Sequence, residues 1–326
     1  MPVGTDLDLA VRLLRAGRLV AFPTETVYGL GADASSAAAV ARIFAAKGRP
    51  RAHPVIVHLP AVEALEVWAD RPGPAARMLA ATFWPGPLTL ICRRGPHVLD
   101  DVTGGAATVG LRIPSHPMAR ALIAAFGGGV AAPSANRFGR LSPTTAADVV
   151  DDLGDDVDYV LDGGACPVGV ESTIVDVSDD DAPALLRPGG IAREDIEAVL
   201  GRELAIGSSA PAPGTLPSHY APQARVVTVA AGDLAVVVAA LGQDGARIAV
   251  LGPAALAAVV PGIELRVVSE RPEAMAHELY AALRELDRRG VEIIVAVLPQ
   301  ERGLGAAIAD RLRRAAGPRD PDGESP

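Results

Sequence analysis

One lysine, Lys47, stands among the 30 lysine and arginine residues of this chain. A composition that uses arginine almost everywhere yet keeps one lysine points to a place that needs a compact ammonium rather than a planar guanidinium. Lys47 opens Lys47-Gly48-Arg49-Pro50, between a helix-like run and the apolar stretch HPVIVHL that holds His53 and His58. A lysine and an arginine two apart, just past a helix end, suit an anion carrying several charges. The plainer reading is a helix-terminal cation that complements the dipole ahead of a glycine cap. His53 and His58 differ by five positions. On one strand they would face opposite sides, so at most one would share that groove.

Three further clusters place small polar or cationic residues in glycine-rich turns at strand ends, where α/β folds usually bind ligands. PTETVYGLG (residues 23–31) offers the Thr26 hydroxyl and backbone N–H groups. Ser134 and Asn136 in PSAN, followed by Ser142, supply donors whose protonation state does not matter. GVESTIVD (169–176) carries Ser172, and LRPGG (186–190) carries Arg187; together they could hold a carboxylate or phosphate. Arg112, inside VGLRIP, is a lone charge among apolar residues and requires an anion, either a structural acid or a substrate carboxylate.

The elements that must position these residues follow from periodicity. Helices are predicted over residues 7–17, 36–47 (with Ser35 or Ser36 as N-cap), 74–82, 115–126, 144–153 and 193–200. Strands are predicted over 18–23, 53–59, 87–93, 108–113, 129–133, 158–161, 172–177 and 184–187. This mixture implies a first α/β domain, residues 1–204, with a mixed parallel and antiparallel sheet. Residues 205–224 are proline-rich and aperiodic and read as a linker, yet they carry His219 and Tyr220 in HYAP, more than a spacer needs. Strands over 225–230, 246–251, 263–268 and 291–298 then alternate with helices over 232–242, 253–259, 272–289 and 303–316. That alternation predicts a smaller Rossmann-like parallel-sheet domain, residues 225–316, followed by a disordered tail, 317–326.

Bulk properties narrow the function. A net charge of −9 and only 11 aromatic residues argue against an RNA-binding module that works through bulk charge and stacking. No apolar run reaches the ~18 residues of a membrane span, and the N-terminus lacks a signal-peptide layout. Two cysteines make no disulfide framework, which suggests a cytoplasmic setting. No metal-ligand spacing occurs, so a metal is expected only with a phosphate ligand.

Taken in order, PTETVYGLG, KGRP with HPVIVH, SAN, VESTIVD, RPG and the linker PG with HYAP resemble the YrdC-like family, in its two-domain threonylcarbamoyl-AMP synthase form, from about residue 6 to 316. The resemblance implies nucleotidyl transfer: L-threonine, bicarbonate or CO2, and ATP give threonylcarbamoyl-AMP and pyrophosphate, and other proteins pass the threonylcarbamoyl group to a tRNA adenosine. It implies a basic groove in which Thr26, His58, Arg112, Ala132 and Ser172 surround threonine. Lys47, Arg49, His53, Thr108, Ser134, Asn136, Ser142 and Arg187 would surround ATP, with Lys47 and Arg49 as the catalytic cations. His219 and Tyr220 would belong to a lid, Mg2+ would arrive with ATP, and contact with tRNA would be weak. One departure is visible: family linkers often have basic or aromatic residues between PG and HY, where this chain has Thr215-Leu216-Pro217-Ser218. The runner-up enzyme, a carbamoyl transferase of hydrogenase maturation with a YrdC-like domain, would need acylphosphatase-like and zinc-finger regions absent from this sequence.

Overall fold

Ser36 begins the helix Ala37–Lys47 by accepting a hydrogen bond from the Ala39 N–H, and Gly48 ends it in the left-handed region at φ 62°. Serine at the N-cap and glycine after the last turn satisfy backbone groups that a helix leaves open. The chain thereby turns sharply at Lys47, which fixes where the KGRP turn lies. The structure is a computed structural model that describes residues 2–318; the predicted tail beyond Pro318 lies outside the described residues.

The chain forms two units. One comprises the residues up to Phe138 together with Ser142–Thr215; the other comprises Gly139–Leu141 and the residues from Leu216 onward. The predicted linker is therefore divided. Residues 205–215 belong to the first unit, where Ala205–Ile206 adds a short strand beside Ala184–Arg187, and residues 216–224 belong to the second.

The first unit carries eleven strands: β1 Val3–Gly4, β2 Val20–Phe22, β3 Gly29–Asp33, β4 Ile56–His58, β5 Leu88–Arg93, β6 Thr108–Arg112, β7 Val130–Ala131, β8 Tyr159–Leu161, β9 Thr173–Asp176, β10 Ala184–Arg187 and β11 Ala205–Ile206. Their spatial order is β1-β8-β2-β3-β7-β4-β6-β5-β9-β10-β11. β4–β6 and β5–β9 run parallel, while β5–β6 and β4–β7 run antiparallel, so the sheet is mixed as expected. The predicted strand over 53–59 shrinks to Ile56–His58, and His53 falls in the preceding turn. β3 was not expected, because GLGAD has no β-branched residue. Its glycines are nevertheless required: a Cβ on Gly31 would lie 2.8 Å from a Phe22 ring carbon. Alternate positions feed the main core, with Val57, Leu90, Val109, Leu111 and Val175 on one face. The other face carries the polar residues described below.

The second unit is an all-parallel sheet, β12 Arg225–Val229, β13 Ile248–Gly252, β14 Glu264–Val267 and β15 Ile293–Val297, in the order β12-β15-β13-β14. Its helices match the predicted alternation, except that residues 254–258 form a 3-10 segment.

Candidate functional site

Strand register lines up the site. His58 pairs with Arg112 across β4 and β6, and Ile56 pairs with Gly110, which also pairs with Ile91 of β5. Continuing that register sets Thr89 opposite Arg112. A Cβ on Gly110 would point at Ile56, Ile91 and Thr89, which confirms that these residues share a face. Ala132, just past β7, donates its N–H to the Ile56 carbonyl and joins the same region. The Pro23–Gly31 loop closes over it: the Gly29 Cα lies under Ala132, and the Thr24 hydroxyl bonds the Thr26 hydroxyl at 2.8 Å and the Val27 carbonyl at 2.7 Å.

The Arg112 side chain is 5% exposed and meets Glu25, 6% exposed, with Nη2 2.8 Å from Oε1. The contact is short but not aligned as a hydrogen bond. The other Glu25 oxygen accepts the Ser115 N–H at 3.0 Å, and Arg112 Nε donates to the Gly86 carbonyl at 3.3 Å. Of the two anions open to Arg112 from sequence, the chain itself thus supplies one. His58 is fully buried beside this pair; burial first, and the Arg112 charge second, push its pKa down to about 3. It is neutral at physiological pH, and its Nδ1 has no hydrogen-bond partner.

Ser172, 1% exposed, connects this end to Arg187. Its hydroxyl lies 2.8 Å from that of Thr89, and Arg187 Nη2 donates to the Ser172 carbonyl at 2.9 Å and to its hydroxyl at 3.2 Å. Gly189 must be glycine here, because a Cβ would fall 2.3 Å from the Thr173 nitrogen. Arg187 Nη1 also donates to the Pro213 carbonyl at 3.0 Å, while Ala212 packs against Ile91 and Ile174. The first half of the linker is therefore part of this wall.

Lys47 has a different setting from the one expected. Its ammonium donates to the Ser134 carbonyl at 2.6 Å and the Asn136 carbonyl at 2.5 Å, and the residue is only 2% exposed. In this arrangement it pins the SAN turn rather than presenting a free charge to phosphate. Burial, then the Arg49 charge, holds its pKa well below the usual lysine value, with Asp152 opposing. Arg49 Nη2 donates to the Pro54 carbonyl at 2.8 Å, and its guanidinium lies 5.5 Å from the centre of the Phe138 ring. His53 meets the same ring edge-on at 5.4 Å, and burial lowers its pKa.

Ser142 donates to the Glu171 carboxylate at 2.5 Å, both residues being buried. Thr108 stands apart: it is half-buried at the far end of β6, about 13 Å along the strand from Arg112, beside a surface cavity of about 560 Å³ shared with Arg93 and Arg94. His219 and Tyr220 are packed within the second unit. Tyr220 sits at φ 59° with the Arg311 guanidinium 4.9 Å from its ring centre, and the His219 N–H donates to the Arg314 carbonyl at 3.2 Å. Cys92 and Cys166 are buried thiols outside any disulfide, and burial pushes both up to about 12.

Residues 12–189 match the Sua5–YciO–YrdC family, described as "Telomere recombination", and residues 191–317 match "Threonylcarbamoyl-AMP synthase, C-terminal domain". The threonylcarbamoyl-AMP synthase of Pyrococcus abyssi is 42% identical, over 95% of this chain and 94% of its own length. The chain belongs to the threonylcarbamoyl-AMP synthase family. The Bacillus subtilis member is 43% identical over 95% of this chain and 92% of its own. A crystal structure of P. abyssi Sua5 complexed with L-threonine superposes with a TM-score of 0.91 at 39% identity, covering 97% of each chain.

The motifs include His58, Arg112 and Ser172, which strand register and hydrogen bonds bring to one end of the sheet. Glu25, Thr89, Phe138 and Glu171 join them only in the fold. Glu25 left one signal, an acid between two threonines in a loop otherwise flanked by apolar residues. Thr89 left none, because only β5–β6 register brings it to Arg112.

Proposed function

We propose that the polar face of the first unit is the centre at which the chain joins L-threonine, bicarbonate or CO2, and ATP into threonylcarbamoyl-AMP and pyrophosphate. One observation carries this placement: His58, Arg112 and Thr89 stand side by side on adjacent strands, with Ser172 bonded to Thr89. With the Glu25 carboxylate paired to Arg112, they form a buried patch of one cation, one anion and neutral hydrogen-bonding groups, which suits a small zwitterion. Arg112 would hold the threonine carboxylate, and Thr26, neutral His58 and Ser172 would orient the amine and hydroxyl near the Ala132 backbone. An apolar niche for the methyl would favour threonine over serine by only about 1 kcal/mol.

Arg49, His53, Ser134, Asn136, Ser142 and Arg187 would meet the nucleotide, with Lys47 holding the Ser134–Asn136 turn beneath it. Thr108 would touch only the part of ATP remote from the amino acid. The threonine ammonium gives one proton to water, the neutral amine bonds to the CO2 carbon as a C=O electron pair moves onto oxygen, and a second N–H proton passes to water. The resulting carbamate oxygen attacks the α-phosphorus, and pyrophosphate leaves with the bridging electron pair. Such a step relies on positioning and charge neutralisation more than on an acid–base dyad.

A divalent cation, taken as Mg2+, would arrive on the ATP phosphates, whose oxygens are the hard donors it prefers. Bound there, it would neutralise phosphate charge. Glu171, which accepts a hydrogen bond from Ser142, would be the nearest carboxylate to that part of the nucleotide and could help hold it. His219 and Tyr220 would act from the second unit as part of a lid. The product would be consumed by partner proteins that transfer the threonylcarbamoyl group to tRNA, with at most weak direct tRNA contact, in the cytoplasm. No helix among the described residues is long and apolar enough to cross a membrane.

The test is pyrophosphate release with mass analysis of the nucleotide product. Release should require threonine and bicarbonate together. Equal release with glycine, or with no amino acid, refutes the proposal.

A further inference from the structure

We propose that Glu25 is a positioning residue for the amino-acid carboxylate. It fixes the Arg112 guanidinium so that Nη1 is presented to the ligand. This inference rests on the reading that Arg112 binds that carboxylate.

Three observations support it. First, Glu25 is itself held on two sides: Oε2 accepts the Ser115 N–H at 3.0 Å, and its backbone carbonyl accepts the Val168 N–H at 2.8 Å. Second, it approaches Arg112 from one edge only, Oε1 to Nη2 at 2.8 Å, while Nε faces the Gly86 carbonyl. Nη1 has no hydrogen-bond partner among the described residues. A guanidinium hydrogen-bonded at Nε and drawn by charge at Nη2 has a preferred plane, and Nη1 points away from both contacts. Third, the Nη2–Oε1 contact is short yet unaligned, so neither buried group has its hydrogen bonding completed inside the chain. A buried pair of this kind adds little net stability over an apolar substitute, but it can specify one geometry.

The pair also balances the site's charge. Without Glu25, Arg112 would be a buried, uncompensated cation beside the neutral His58, free to turn toward any nearby carbonyl. With Glu25 in place, the guanidinium is already oriented when an α-carboxylate arrives, so less conformational freedom is lost on binding.

The experiment uses the full chain and titration calorimetry with two ligands: L-threonine, and L-threoninol, which keeps the amine and hydroxyl but has no carboxylate. Glu25→Gln should weaken threonine binding about tenfold, equivalent to about 1.4 kcal/mol, and leave threoninol and ATP binding within about twofold. Glu25→Asp, which keeps the charge but shortens its reach, should fall between wild type and Glu25→Gln, and thermal melts check that each variant folds. In an Arg112→Ala background, Glu25→Gln should cause no further loss. Equal losses for threonine and threoninol, or unchanged threonine binding in Glu25→Gln, overturn the proposal while leaving the site reading intact. Unchanged threonine binding in Arg112→Ala overturns the site reading and this proposal with it.

Discussion

Lys47→Met is the most informative single perturbation. Methionine is nearly isosteric with lysine but cannot donate. The substitution removes two hydrogen bonds, to the Ser134 and Asn136 carbonyls at 2.6 and 2.5 Å. Bonds from a charged donor are each worth about 1.5–3 kcal/mol, so the gross loss is about 3–6 kcal/mol. Against this, the wild type bears the cost of a buried ammonium, seen in a pKa held well below the usual value by burial and by Arg49. Removing that cost returns part of the loss, and a net destabilisation of about 1–3 kcal/mol is expected. The pH dependence has a definite sign. Between the folded and unfolded pKa values the unfolded state binds more protons, so the wild-type stability contribution rises with pH toward the normal lysine value. Denaturant unfolding of both proteins at about pH 8 and about pH 10 should therefore show the wild-type advantage growing. A constant or shrinking difference would refute the burial-lowered Lys47 pKa. Lys47→Arg keeps the charge but forces a planar head into a pocket built for two carbonyls. Its rate should fall at least about tenfold, or about 1.4 kcal/mol, with the KM for ATP rising more than that for threonine. Near-normal kinetics would return Lys47 to a helix-terminal cation.

Arg112→Ala should raise the KM for threonine and spare ATP binding, which calorimetry can separate; the reverse pattern would move Arg112 to the nucleotide. Chain 1–215 should fold as a unit, whereas chain 1–204 should be less stable by about 1–3 kcal/mol, because Ile91 and Ile174 lose Ala212 and Arg187 loses the Pro213 carbonyl. Comparative thermal melts test this, and equal stability of the two would show that residues 205–215 only tether. Limited proteolysis within residues 211–222 should slow when ATP and threonine are bound; equal rates in both states would remove the lid role of His219 and Tyr220.

Local chemistry made much of the architecture legible in the sequence. The Ser36 cap, the helix Ala37–Lys47, the Gly48 stop and the β/α alternation of the second unit follow from capping and periodicity, which depend on neighbours a few residues away. Thr26, His58, Arg112, Ala132 and Ser172 came from the family resemblance that the ordered motifs carry; the residues by themselves marked only Arg112, as a lone charge among apolar neighbours. What tertiary structure decided depends on distant partners. Gly29–Asp33 becomes a strand only because β2 and β7 flank it and Phe22 leaves no room for a side chain at Gly31. The linker divides at Thr215 because Arg187 and Ile174 capture one half, while Arg311 and Arg314 hold the other. Arg112 called for an anion, but its choice of Glu25 joins residues 87 positions apart through the closure of the Pro23–Gly31 loop. Lys47 shows the limit most clearly. Its rarity marked it as special, yet its partners are backbone carbonyls, which every residue carries and no sequence pattern reveals.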